Sequence, residues 1–176
     1  MIHQLADVQT KNIGNNTQIW QYAVVLPNAI IGNNCNINCH VFIENDVQIG
    51  NNVTVKSGVQ LWDGICVEDN VFIGPNVSFT NDMYPRSKKY PDSFLKTKIM
   101  MGASIGAGAI VQGGITVGEF AMIGAGSLVT KDVPPQALVI GIPARIVGWV
   151  NKDGSKMENC NDFYLTNEGE KWFPSF

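Results

Sequence analysis

The segment that decides the fold is residues 31–54, which reads IGNNCNINCHVFIENDVQIGNNVT. An aliphatic residue returns in it every six positions, and a small or branched residue follows each one four positions later. We call the aliphatic or aromatic residue that opens each six-residue unit its lead residue. The lead residues run without a gap through Ile13, Ile19, Val25, Ile31, Ile37, Ile43, Ile49, Val55, Leu61, Val67, Ile73 and Phe79.

The same six-residue period returns later in the chain in a different phase. Its lead residues are Ile99, Ile105, Val111, Val117, Ile123 and Val129. Because the two phases differ by two residues, we interpret residues 80–98 as an insertion between two blocks of repeats, and not as a degenerate repeat.

A period of six matches neither the 3.6-residue turn of an α-helix nor the simple alternation of a hairpin strand. It is typical of short strands joined by tight corners, the hexapeptide β-helix pattern. Pairs such as Asn33-Asn34 and Asn51-Asn52 fall where corners are expected, and asparagine tolerates left-handed backbone conformations. We therefore predict an all-β fold, a parallel β-helix with the lead residues in its core.

Composition and charge narrow the class of protein. The 176 residues carry 12 Lys+Arg against 15 Asp+Glu, a net charge of -3, whereas nucleic-acid-binding domains usually have a strong basic excess. No apolar run approaches the roughly 20 residues that span a bilayer, and residues 1–7 lack the features of a signal peptide. We expect a soluble, cytoplasmic protein with no nucleic-acid partner and no membrane insertion.

The cysteines and histidines do not suggest a metal centre. The chain has four cysteines without a Cys-x-x-Cys pair, and only two histidines, whereas a zinc site needs about four such ligands at characteristic spacings. We expect reduced, structural thiols and no metal.

The insertion is rich in positive charge. It holds five of the 12 basic residues, and between Ile13 and Phe79 the only other one is Lys56. A loop of this length on a regular fold is usually functional or disordered, and clustered cations suit phosphate groups. A small-molecule diphosphate is therefore the expected ligand of the loop.

The repeats, together with residues 131–145 (KDVPPQALVIGIPAR), resemble the left-handed parallel β-helix acyltransferases. In that family three six-residue units make one triangular coil, so residues 18 apart stack. The resemblance implies four coils before the insertion, two after it, acetyl-CoA as co-substrate and a homotrimer with pockets at subunit boundaries. The segment at 131–145 closes the coil in that family and borders the coenzyme site.

The stacking rule places Ala107, Ala125 and Pro143 in one column of small residues, a flat groove for the pantetheine arm of the coenzyme. Lys131 and Arg145 lie near the same end and are expected to contact its phosphates. We predict these five as the cofactor-binding residues.

Residues 37–47, 60–64 and 79–87 are more specific and resemble the nucleotide-amino-sugar N-acetyltransferases, most closely those acting on dTDP-3-amino-3,6-dideoxyhexoses. Such enzymes serve surface polysaccharide, lipopolysaccharide or S-layer glycan biosynthesis. The resemblance implies that Asn81 and an acidic residue one coil below it, here Asp63, line the pocket for the sugar amine.

The predicted chemistry is orientation of an amine. With a pKa of about 8, by analogy with an α-amino group, the sugar amine is partly neutral near pH 7 and needs positioning more than deprotonation. We predict Asn81, Asp63 and His40 as catalytic residues, with His40 reaching the site across a subunit boundary. The residues predicted to bind the substrate are Glu44, Trp62, Asp82, Tyr84 and Arg86.

The predicted organisation is an acyltransferase domain over residues 1–150, with the inserted loop at 80–98, and a C-terminal extension over 151–176 that caps the β-helix. Two alternatives remain open: an enzyme acting on a UDP-linked amino sugar, and a non-catalytic hexapeptide adaptor. Binding of acetyl-CoA would separate the adaptor from the enzyme.

Overall fold

The structure is a computed structural model, and it describes residues 1–174. The last two residues of the predicted 151–176 extension, including Phe176, lie outside the described residues. No helix occurs in residues 1–174, and the chain folds into 23 short strands.

The strands follow the six-residue period, and most of them are two residues long. In chain order they are β1 (Asp7–Val8), β2 (Gln18–Ile19), β3 (Val24–Val25), β4 (Ile30–Ile31), β5 (Asn36–Ile37), β6 (Phe42–Ile43), β7 (Gln48–Ile49), β8 (Thr54–Val55), β9 (Gln60–Leu61), β10 (Ile65–Val67), β11 (Phe72–Ile73), β12 (Ser78–Phe79), β13 (Thr97–Ile99), β14 (Ser104–Ile105), β15 (Ile110–Val111), β16 (Thr116–Val117), β17 (Met122–Ile123), β18 (Leu128–Val129), β19 (Ala137–Gly141), β20 (Ala144–Trp149), β21 (Glu158–Asn159), β22 (Tyr164–Leu165) and β23 (Lys171–Trp172).

Strands of successive coils pair in parallel and form four sheets, which line three faces of a central core. Face 1 is β2-β5-β8-β11-β14-β17-β19, with β20 added antiparallel at its end. Face 2 is β1-β3-β6-β9 followed by β12-β15-β18, and face 3 is β4-β7-β10-β13-β16. The predicted all-β parallel β-helix is therefore confirmed.

The core consists of the lead residues and the small residues that follow them. Leads such as Ile19, Ile37 and Leu61 are fully buried, as are Ala23 and Val41 in the following positions. Burial of each aliphatic side chain contributes about 1.5–3 kcal/mol, so the repeat itself supplies the stability of the rod.

Three edges join the faces, and we name them by their residues. The loop edge, between faces 2 and 3, carries Asn45, Asp63, Asn81, Gly113 and Lys131. The alanine edge, between faces 1 and 2, carries Tyr22, His40, Gly58, Ala107 and Ala125. The asparagine edge, between faces 3 and 1, carries Asn33, Asn51 and Asp69, whose side chains bond to the next coil.

The insertion leaves the register of the faces intact. Before the insertion a lead residue pairs with the one 18 positions later, but the pairs that span the insertion, such as Val67 and Ile99, are 32 positions apart. The loop therefore adds 14 residues between two successive strands. Strand β13 begins at Thr97, so the last two residues of the predicted insertion belong to face 3, and the side chain of Thr97 is buried.

The last coil is shorter than the others, and this corrects one stacking prediction. Ile123 pairs with Val139, only 16 positions later. The reason is that the corner before Val133 is two residues short, so Val133 already pairs with Val117. Ala125 is thus level with Gly141, and Pro143 does not stack above it at 18 residues as predicted. Pro143 instead lies in the turn between β19 and β20.

The C-terminal extension folds back on this last coil. Strands β21, β22 and β23 form a small antiparallel sheet, in which Tyr164 and Trp172 pack against the buried ring of Trp149. Asn151 is buried and bonds to Ser155.

Two further observations concern the whole described chain. Cys35, Cys39, Cys66 and Cys160 are free thiols, and burial raises the pKa of Cys35 and of Cys66. Among residues 1–174 there is no helix long and apolar enough to cross a membrane.

Candidate active site

Asn81 and Asp63 meet on the loop edge as the stacking rule predicts. The Nδ2 atom of Asn81 donates a hydrogen bond of 3.1 Å to the main-chain carbonyl of Asp63, one coil below. This bond fixes the orientation of the Asn81 side-chain amide and leaves its Oδ1 atom as a possible acceptor. It accepts no hydrogen bond from residues 1–174, and it can therefore accept one from a ligand.

Beneath Asn81, side-chain carboxylates accept main-chain N–H groups of an adjacent coil. The main-chain N–H of Asp63 donates to Oε2 of Glu44 at 2.7 Å, and Oδ1 of Asp63 accepts the N–H of Asp46 at 2.6 Å. Within residues 1–174 the second oxygen of Asp63, Oδ2, accepts no hydrogen bond. Glu44 therefore holds the backbone under Asn81, and Asp63 keeps one oxygen for a cationic group.

Trp62 lies beside this pair with its polar atom occupied. Its Nε1 donates 3.0 Å to the carbonyl of Phe79, and its ring centroid lies 5.7 Å from that of Phe42 on face 2. The indole can therefore offer a ligand its ring surface but not its N–H group.

The base of the insertion is tied down by contacts that the sequence did not reveal. The N–H of Leu95 donates to the carbonyl of Asn81 at 3.0 Å, and Lys96 forms an ion pair with Asp46. A Cβ added to Gly113, one coil above, would lie 2.7 Å from the carbonyl oxygen of Thr80. The double glycine at 113–114 was the available signal, since Asp63 and Lys131 carry side chains at the position equivalent to Gly113.

The outer part of the insertion makes little contact with its own chain. Tyr84 is 84% exposed, as is Tyr90, and Arg86 donates only to the neighbouring carbonyl of Pro85. The predicted substrate-binding residues Tyr84 and Arg86 are thus held out in solvent. The exposed aromatic and cationic groups of the loop can therefore contact a ligand or a second chain.

Asp82 lines a small cleft under the loop. The cleft has a volume of about 210 Å³ and joins the start of the insertion to face 2. The residues that line it include Thr80, Asp82, Leu95, Ile110, Gln112 and Leu128. The last three were not identified from the sequence because they are ordinary outward positions of the repeat.

Ala107 and Ala125 lie one coil apart on the alanine edge, above the level of the insertion. Both are exposed, and an added Cβ at Gly108 or Gly126, the residue after each, would meet nothing within 4 Å. This part of the edge is therefore flat and open, as a groove for an extended ligand requires.

Lys131 and Arg145 are brought together at the end of the rod. They line one cleft of about 250 Å³, and Ala144 lines it as well. The cleft lies between the β19–β20 hairpin and the last corner of the rod. Two exposed cations around one cleft form a suitable site for a phosphate group.

His40 is not near Asn81 in the chain, because it lies on the alanine edge in the second coil. Its ring stacks on that of Tyr22, with centroids 5.1 Å apart and an interplanar angle of 24°. The single chain therefore brings together Asn81, Asp63, Glu44 and Trp62, and leaves His40 and the alanine column on another edge.

Comparisons with known proteins agree with the fold. The family model "Bacterial transferase hexapeptide (six repeats)" matches residues 10–45, 46–81 and 96–131. The chain therefore belongs to the bacterial transferase hexapeptide family. A curated relative is the dTDP-3-amino-3,6-dideoxy-alpha-D-galactopyranose 3-N-acetyltransferase of Aneurinibacillus thermoaerophilus, which is 59% identical over 171 residues, covering 97% of this chain and 89% of the relative.

Two solved structures are similar in fold. A mutant perosamine N-acetyltransferase from Caulobacter crescentus, in complex with CoA and GDP-perosamine, has a TM-score of 0.66 and 26% identity, over 75% of this chain and 56% of that one. A hexapeptide-repeat acetyltransferase from Vibrio cholerae O1 biovar eltor, complexed with acetyl coenzyme A, has a TM-score of 0.56 and 27% identity, over 68% of this chain and 71% of that one. This chain thus spans little more than half of the perosamine enzyme.

Proposed function

We propose that the protein is an acetyl-CoA-dependent N-acetyltransferase that acetylates the amine of a dTDP-linked 3-amino-3,6-dideoxyhexose. The observation that carries the proposal is the 59% identity to an enzyme named for that reaction, over 97% of the chain and thus over both rod and insertion. The loop-edge pair of Asn81 and Asp63 supplies groups suited to a sugar amine.

Asn81 is the residue that orients the amine. With Nδ2 bonded to the carbonyl of Asp63, Oδ1 accepts one N–H of the amine and directs the nitrogen lone pair toward the thioester. Orientation of this kind is effective because it replaces a bimolecular encounter with a prearranged one. In this proposal Oδ2 of Asp63, which accepts no hydrogen bond within residues 1–174, holds the ammonium form before it loses its proton.

The reaction balances without a metal or an oxidant. The amine nitrogen attacks the thioester carbonyl carbon, the C–N bond forms, and the C–S bond breaks to release coenzyme A as a thiolate. The proton lost by the nitrogen passes to the thiolate, directly or by way of Asp63. The products are the N-acetylated sugar nucleotide and free CoA thiol.

The pantetheine arm of acetyl-CoA runs along Ala107 and Ala125 in this proposal, with its phosphates at Lys131 and Arg145. The flat, exposed alanine edge and the shared cleft of the two cations support that path. Pro143 would then contact the coenzyme from the β19–β20 turn and not from the alanine column.

A homotrimer completes the site. Asn81 and the alanine column lie on the two edges that flank face 2, so one triangular rod cannot bring them together. Face 2 carries outward apolar side chains suited to burial between subunits, among them Phe42 and Ile110, the latter 42% exposed. Three rods packed through face 2 would set the loop edge of each against the alanine edge of the next.

The proposed setting is the cytoplasm, where acetyl-CoA is available, and a pathway that assembles surface polysaccharide, lipopolysaccharide or S-layer glycan. There the N-acetylated nucleotide sugar would serve as a donor for a glycosyl transfer reaction.

The test is a screen of the purified protein with acetyl-CoA and a panel of dTDP-, UDP- and GDP-linked amino sugars. Release of CoA thiol and mass spectrometry of the sugar nucleotide are followed together. We expect turnover with a dTDP-linked 3-amino sugar and a product carrying one acetyl group. Turnover with UDP sugars alone would favour that alternative substrate, and failure to bind acetyl-CoA would favour an adaptor.

A further inference from the structure

Tyr22 and His40 form an exposed aromatic pair with an unusual backbone. Both have left-handed conformations, with φ values of 61° and 59°. Tyr22 is 54% exposed, and its ring stacks on His40 at 5.1 Å. The left-handed region is unfavourable for bulky residues, and residues held there often serve a function.

The residues at the other left-handed corners show which side chains the fold itself requires there. Most left-handed corner positions carry asparagine or glycine, as at Asn34, Asn52 and Gly108. Phe120 is a bulky exception, but its ring covers Gly102 and lies under the ammonium of Lys152. No packing of that kind explains the exposed pair of Tyr22 and His40, whose rings contact each other.

The height of the pair along the rod relates it to the site. Coils stack at about 4.8 Å, so His40 in the second coil lies roughly 10 Å below the level of Asn81 in the fourth. Tyr22 lies one coil lower still. The alanine column and the cation cleft lie above Asn81, so coenzyme bound there leaves only the lower part of the alanine edge for the rest of the sugar nucleotide.

The positions of the charged side chains also favour the lower part of the alanine edge as the site of the diphosphate. On the alanine edge Lys56 lies one coil above His40, and it is the only basic residue between Ile13 and Phe79. Lys56 forms no ion pair within residues 1–174, and its ammonium lies 6.0 Å from the ring centroid of Phe72.

We propose that the stacked pair of Tyr22 and His40 is the platform on which the nucleobase of the sugar nucleotide stacks. The sugar amine is then held by Asn81 of the neighbouring subunit, and Lys56 faces the diphosphate between the two ends. This proposal rests on the proposed function and on the trimer. It assigns His40 to substrate binding and not to proton transfer.

The test compares Tyr22→Gly and His40→Asn with the wild-type protein. Glycine and asparagine suit a left-handed corner, so both variants should fold while losing the ring. Because base–aromatic stacking is typically worth about 1–3 kcal/mol, we expect KM for the dTDP-linked amino sugar to rise about tenfold in each. The kcat and the KM for acetyl-CoA should change less than twofold.

Tyr22→Phe is the matched control, since it keeps the ring and should retain the wild-type KM. Isothermal titration with thymidine 5′-diphosphate alone should show the same loss of affinity in Tyr22→Gly. Lys56→Gln should weaken the binding of thymidine diphosphate more than it weakens the binding of thymidine.

Three results would overturn the platform. They are an unchanged KM in Tyr22→Gly, a fall in kcat with KM unchanged in His40→Asn, and dissociation of the assembly in either variant. If the wild-type protein acetylates no nucleotide sugar, the proposed function fails instead, and thymidine diphosphate titration then decides the platform separately.

Discussion

Asn81 donates its amide proton to the carbonyl of Asp63, the residue 18 positions earlier, across the gap between two coils. The bond joins the corner of the fourth coil to the coil below, at the point where the chain leaves the rod. It therefore sets the direction of the Asn81 amide before any ligand arrives.

Asn81→Ala should reduce kcat by well over tenfold and leave assembly intact, because it removes the oriented acceptor without touching the core. Steady-state kinetics and light scattering measure the two effects. Asn81→Asp is the companion variant, since it keeps an acceptor oxygen and loses the bond donated to Asp63. Wild-type turnover in Asn81→Ala would exclude the proposed role.

Ile110→Asp should dissociate the trimer and abolish turnover, because a carboxylate buried between subunits lacks a partner. Ile30→Asp is the matched control: Ile30 is 46% exposed against 42% for Ile110, but it lies on face 3. Light scattering should give a single chain for the first and a trimer for the second. An intact trimer in Ile110→Asp would place the interface elsewhere.

Gly113→Ala should lower kcat about tenfold, because the new methyl group would lie 2.7 Å from the carbonyl oxygen of Thr80 and 3.1 Å from Cα of Asn81. The base of the loop must shift to admit it. Gly169→Ala controls for general strain, since Gly169 has a φ of +80° and nothing within 4 Å. It should cost about 1 kcal/mol of stability and leave kcat unchanged; equal losses of kcat would argue against a local effect.

Arg145→Ala should raise the KM for acetyl-CoA about fivefold with little change in kcat, since loss of an exposed phosphate contact is worth about 1 kcal/mol. The difference from wild type should shrink with acetyl-3′-dephospho-CoA if the 3′-phosphate is the group bound. Lys152→Ala, on the tail, is the control. A fall in kcat alone would contradict a role in coenzyme binding.

Asp153 gives a pH prediction for the C-terminal extension. Hydrogen bonds from Ser155 lower the pKa of Asp153 below its ordinary value of 3.8, so the folded state binds this proton less readily than the unfolded state. Its stabilisation is present above pH 3.8 and is lost as the pH falls through the lowered pKa. The Tm difference between wild type and Asp153→Asn should shrink in acid; a constant difference would contradict this.

Most of the rod could be predicted from the sequence because the period of the lead residues is itself the geometry of the coil. The stacking of Asn81 on Asp63 follows from the 18-residue spacing, and the bond between them agrees. The rule failed at Pro143 because Val133 closes the coil two residues early, a local corner that periodicity does not encode.

The contacts at the base of the insertion could not be predicted from the sequence, for a different reason. The ion pair of Lys96 with Asp46 joins residues 50 positions apart, and the space kept free by Gly113 depends on how the loop leaves the rod. Neither follows from a six-residue pattern, since both depend on non-repeating chain. The roles of the predicted substrate- and cofactor-binding residues stay predictions.

The 14 added residues leave and re-enter the rod without altering the pairing of the strands above and below. The coils thus form a scaffold that does not depend on the loop, and the loop can differ in sequence or length without altering the scaffold. If the proposed function holds, descendants of such a gene can vary the loop's share of the acceptor site without disturbing the coils, while the acceptor groups on the rod, such as Asp63, are inherited with them.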